Sequence, residues 1–210
     1  MKKNLYKKFV VSFLILVFVT QFYSTVENAF AVTDNVVVNL TVTSGISITA
    51  NTTPVTLLPA LSIANESAYG RSSFTVITND PDGYTLGVLA TTDPALKQGV
   101  VDSFADYTEA VAGVPEVWSV ASGAKEFGFS VYGADEVAGY GTGTCDASGV
   151  ITGTLNFEGF STLNNEIATN PDVTLPAGTE TFVCFQVQQN DVFAAEGAYS
   201  ATITGTATVL

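Results

Sequence analysis

Histidine is absent from the 210 residues, and the only methionine is Met1. Without an imidazole, no Ser-His-Asp or Cys-His nucleophilic mechanism runs within the chain. Histidine-ligated zinc or copper is excluded on the same ground, which leaves oxygen-held calcium as the cation to consider. Basic residues are scarce as well. Seven Lys and Arg stand against 20 Asp and Glu, for a formal net charge of −13. A surface of that sign repels nucleic acid and anionic lipid, and both drop out of the expected partners. Only two cysteines occur, Cys145 and Cys184, with no Cys-x-x-Cys pair to support dithiol exchange. The main apolar run, residues 9–22, is short for a membrane span.

That run belongs to the clearest signal in the chain. Lys2, Lys3, Lys7 and Lys8 precede it, and Ala29-Phe30-Ala31 follows with a small-x-small pattern. Residues 1–31 therefore read as a secretory signal peptide cleaved after Ala31, and residues 32–210 as a secreted, single-domain chain with no transmembrane anchor. Cleavage removes four of the seven basic residues and leaves Arg71, Lys97 and Lys125; among the acids it takes only Glu27. In an oxidising compartment the even cysteine pair predicts one disulfide, Cys145 to Cys184, closing a separation of 39 residues. Loop closure of that length contributes about 3–5 kcal/mol.

Beyond the leader, apolar residues recur with a period of two. Val36, Val38, Leu40 and Val42 alternate with Val37, Asn39 and Thr41; Tyr84, Leu86 and Val88 alternate with Thr85 and Gly87. Phe127, Phe129 and Val131 form a third run, Val183, Phe185 and Val187 a fourth, and Tyr199, Ala201 and Ile203 open a last one. The spacing predicts half-buried strands. Asn79-Asp80-Pro81-Asp82-Gly83 reads as a hairpin turn, and residues 102–111 and 191–195 each suit a short turn or helix. About eight to ten strands with no helical layer predict an antiparallel β-sandwich of jelly-roll or Ig-like kind. Residues 93–125, with Pro94, Gly99, Gly113, Pro115 and Gly123, read as a long excursion from it.

The order of these features resembles the WxL-type bacterial cell-surface β-sandwich domains and related secreted surface proteins. The resemblance rests on residues 36–48, 55–58 and 74–78, on Gly83-Tyr84-Thr85-Leu86, on Trp118 ahead of Phe127-Gly128-Phe129, and on Gly197-Ala198-Tyr199-Ser200-Ala201-Thr202. The family's Trp-x-Leu motifs are missing; Tyr84-Thr85-Leu86 and Gly205-Thr206-Ala207 stand near their places. The resemblance thus implies a fold and a surface location, and no binding site.

Few residues suggest chemistry. Asp80-x-Asp82-Gly83 begins like a calcium loop, with Asp93 a further carboxylate, but the later ligands of an EF-hand are missing and a plain turn explains the motif. Trp118, Tyr107, Tyr132 and Tyr140 are candidates for stacking on a sugar, with Trp118 as a core plug the plainer reading. The carboxylates Asp135 and Glu136, or Asp102, Asp106 and Glu109 on one face of a short helix, are the material for a secreted hydrolase, the weakest option. The expected function is therefore noncatalytic: a structural or adhesive surface protein that self-associates, its β-prone N-terminal segment pairing within its own sandwich or adding to a neighbour's sheet, with a cell-wall or glycan-binding module as the alternative.

Overall fold

The computed structural model describes residues 37–51 and 53–210; the signal-peptide reading lies outside them. The chain separates into two units, residues 1–42 and 43–210. In the first, residues 37–42 form no strand, although their alternation predicts one. Val37, Val38, Leu40 and Val42 are 79%, 86%, 87% and 74% exposed.

The second unit is an all-β sandwich. Its strands are β1 (Ile46–Ala50), β2 (Ser67–Thr78), β3 (Tyr84–Ala90), β4 (Lys97–Gln98), β5 (Asp102–Ser103), β6 (Ala105–Asp106), β7 (Glu116–Val117), β8 (Lys125–Gly133), β9 (Thr144–Cys145), β10 (Ile151–Thr152), β11 (Asn156–Gly159), β12 (Asn165–Asn170), β13 (Thr179–Gln189) and β14 (Ile203–Val209). The large sheet runs β1-β2-β13-β8-β11-β7, with β6 parallel to β8 on the same edge as β11. The facing sheet has only three strands, β12-β3-β14. Two ribbons, β9-β10 and β4-β5, lie outside both.

β13 is central because its sequence suits burial on both faces. Val183, Phe185 and Val187 point into the sandwich, while Cys184 and Gln186 are buried on the opposite face. Its neighbours supply the same core: Phe74 and Val76 from β2, Phe127, Phe129 and Val131 from β8. From across the sandwich come Tyr84, Leu86, Val88, Ile167 and Ala168. Each Val, Leu, Ile or Phe side chain among them, fully buried, contributes about 1.5–3 kcal/mol.

Two expectations fail for physical reasons. Asn79 to Gly83 does not close a hairpin. β2 already has β1 and β13 on its two edges, so β3 has no free edge to join and the turn carries the chain into the other sheet. Gly83 makes that passage, with φ of 82° and Asn170 O only 1.9 Å from where a Cβ would stand. A helix is also absent from residues 102–111 and 191–195. Residues 102–103 and 105–106 are strand instead, β5 pairing with β4 and β6 with β8; residues 110–111 bend, and no residue of 191–195 is helical.

Candidate functional site

The outer face of the large sheet carries the disulfide and most of the candidate aromatics. Cys145 on β9 is joined to Cys184 in mid-β13, with Cα atoms 6.1 Å apart, so the β9-β10 ribbon is fastened onto the sheet. Arg71, opposite Cys184 on β2, donates to Cys145 O at 2.9 Å and to Tyr132 Oη at 3.0 Å, and its guanidinium sits 4.9 Å from the Phe182 ring centre. Tyr132 stacks on Phe182 at 4.6 Å and donates to Cys145 O.

The other rings are likewise engaged. Trp118 stacks on Tyr107 at 4.5 Å, meets Phe157 edge-on at 5.1 Å, and donates its indole N–H to Gln188 Oε1 at 2.6 Å. Tyr107 is buried, and burial pushes its phenol up to about 12. Tyr140 is buried and donates to Glu158 at 2.7 Å; burial, then the Glu158 charge, holds its phenol far above the ordinary range. The four aromatics expected to stack on a ligand all pack on neighbouring side chains, Tyr107 and Tyr140 buried and Trp118 and Tyr132 half-buried.

The cation candidates separate. Asp80 Oδ1 accepts from Asp82 N–H at 3.0 Å within the turn before β3, whereas Asp93 lies beyond the far end of that strand. Seven extended residues put about 23 Å between them. Among the described residues no three His, Cys, Asp or Glu side chains gather to hold a metal ion. Each of the hydrolase carboxylates has a local partner. Asp135 accepts from Tyr84 Oη at 2.8 Å and Asn170 Nδ2 at 2.9 Å, and Glu136 from Gly133 N–H at 3.0 Å. Asp102 pairs with Lys125, Asp106 accepts from Ala95 N–H at 3.1 Å, and Glu109 accepts from Gly159 N–H.

The inner face offers a different feature. Because the small sheet ends at β14, part of the large sheet's inner face is roofed by loops, and a trough of about 1050 Å³ remains. Its floor is Ala68, Ser72 and Phe74 of β2, Phe185 and Val187 of β13, and Phe127 of β8. Residues 53–63 make one wall; Val55 and Leu57 press so closely on Gly70 that a Cβ there would lie 2.6 and 2.7 Å from their side chains. Residues 193–203 make the other wall.

Gln189, 3% exposed, holds both walls: Nε2 donates to Ser62 O at 3.0 Å and Oε1 accepts from Ala194 N–H at 3.1 Å. One end is closed by Tyr199, which packs edge-on to Phe104 at 5.2 Å and donates to Asp102 Oδ2. Lys125 and then Tyr199, both bonded to Asp102, hold its carboxyl well below the ordinary range. Sequence reasoning missed the trough. Its only trace is the surplus of strands that the large sheet takes over the small one.

A comparison of the chain with protein-family models, with curated proteins and with solved structures finds no match.

Proposed function

We propose that this chain is a secreted, noncatalytic structural or adhesive protein of the cell surface that associates with copies of itself through its N-terminal strand. The observation that carries this reading is the state of residues 37–42. They keep the alternation of a half-buried strand, yet they form no ladder and expose four large apolar side chains. Such a segment gains most by completing the sheet of another molecule. The leader and the Cys145–Cys184 bridge support an oxidising, extracytoplasmic setting. The resemblance of the sequence to WxL-type domains supports a surface location.

The test is light scattering and gel filtration of the secreted chain beginning at Val32, beside a form lacking residues 32–40. Assemblies from the first and monomers from the second are expected. Monomers from both would end the self-assembly reading, and recovery of that monomer on purified cell walls would favour the wall-binding alternative.

A further inference from the structure

We propose that the trough is the acceptor for residues 36–42 of a second copy of this chain, laid beside residues 199–203 as a fourth strand of the smaller sheet. The inference rests on the self-assembly reading and names the site that serves it.

Three observations converge on this pairing. The first is main-chain chemistry. Lys97 and Ser200 exchange N–H and C=O, and Thr91 N–H bonds Thr202 O, so the even-numbered residues of this run face β4 and the end of β3. In an antiparallel ladder the intervening residues then turn N–H and C=O the other way. Tyr199, Ala201 and Ile203 therefore aim theirs at the trough, and among the described residues none has a ladder partner on that side. An edge of this kind is a template for another strand.

The second is side-chain pattern. A strand entering here has one face on an apolar floor and the other toward water. Residues 36, 38, 40 and 42 are Val, Val, Leu and Val, while 37, 39 and 41 are Val, Asn and Thr. The segment carries no charge, so it brings no like-charge repulsion into an assembly of cleaved chains that keep 3 basic against 19 acidic residues. Five residues of edge, about 16 Å, pair with the central five of the seven donor residues, which reach about 23 Å.

The third is placement. The second unit begins with Thr43 to Gly45 tied to Asn79: Nδ2 donates to Thr43 O at 2.9 Å and Oδ1 accepts from Gly45 N–H at 2.6 Å. Asn79 lies at the Ile46 end of β1, and the trough begins at the Ala50 end. Donor attachment and acceptor thus sit at opposite ends of β1. A head-to-tail contact between different surfaces links successive copies into a ring or a fibre, according to the rotation from one copy to the next.

The experiment uses two variants of the secreted chain. Leu40→Asp spoils the donor. Ala201→Pro removes an N–H that faces the trough rather than β3, which an edge position tolerates. Each variant alone should remain monomeric, and an equimolar mixture should stop at a dimer, since one copy lacks a donor and the other an acceptor. If Ala201→Pro assembles like the parent while Leu40→Asp does not, the trough assignment is overturned and the self-assembly reading stands. If the parent is monomeric, or Leu40→Asp assembles, that reading falls and takes the trough with it. Should Ala201→Pro fail to fold, Ala201→Cys is oxidised in turn with Val38→Cys, Leu40→Cys and Val42→Cys; the native cysteines are paired and do not interfere. A disulfide-linked dimer in at least one mixture is expected, and none in all three overturns the assignment.

Discussion

The two faces of the large sheet are finished in opposite ways. On the outer face a covalent bridge, a guanidinium and two ring stacks close over β13 and β8. On the inner face the same strands present Phe185, Val187 and Phe127 to a trough whose walls are loops held by one glutamine. Strand sequence does not separate them, since β13 and β8 carry aromatic residues toward both. The difference lies in what is available to cover each face: a disulfide-fastened ribbon with Tyr107 and Trp118 on one side, a sheet of three strands on the other. A face that its own chain completes is a stability element. A face left short is where another molecule gains most by adding to it.

Substitutions can break this contrast, beginning with the largest effect. Cys184→Ala with Cys145→Ala should cost about 4 kcal/mol, the loop-closure value for 39 residues, and lower the melting temperature by about 8–16 °C, read by calorimetry. Assembly at low temperature should survive, because the bridge faces away from the trough. Trp118→Ala removes the Tyr107 stack and the bond to Gln188. It should cost about 2–3 kcal/mol in denaturant titration without altering association.

Gln189→Leu leaves Ser62 O and Ala194 N–H without this partner. A loss of about 1–2 kcal/mol is expected, together with faster hydrogen exchange confined to residues 53–63 and 193–203. An outer-face response to Gln189→Leu, or an inner-face response to Trp118→Ala, would erase the distinction between the faces.

The smallest effect is electrostatic. Burial raises the Asp106 carboxyl from 3.8 to about 6, against the pull of the Ala95 N–H and with the Asp93 charge adding. The native state thus holds this proton more tightly than the unfolded chain. The stability this gives is complete below pH 4 and is lost as pH rises through about 6. Asp106→Asn keeps an acceptor for Ala95. It should flatten stability between pH 4 and 6 and gain on the order of 1 kcal/mol at pH 7, by urea denaturation across that range.

Much of the frame is legible in the sequence. An even cysteine pair and period-two runs have physical causes that act locally, and β2, β3, β8, β13 and β14 stand where their alternation is strongest. Alternation states that a segment has two unlike faces; it does not state that a neighbour is present. Residues 36–42 alternate as cleanly as β3 does, yet residues 37–42 lie unpaired. The turn at Asn79 to Gly83 has hairpin chemistry, but whether it joins partners or crosses between sheets depends on how many edges β2 has left. The rings of Trp118, Tyr107, Tyr132 and Tyr140 are visible as rings, and only folding shows that they face other side chains. Gln189 carries no local mark, because one of its bonds spans 127 residues and acquires meaning only when two loops meet.

The placement of the bridge has a mechanical side. A fibre of these molecules would be loaded by pulling on chain ends, and both cysteines lie within the folded sequence rather than at its ends. When the unit gives way under tension, the residues between Cys145 and Cys184 stay looped out of the load path. The released contour is then shorter by about 130–140 Å than that of the reduced chain. Redox state would thereby set how far each link can lengthen.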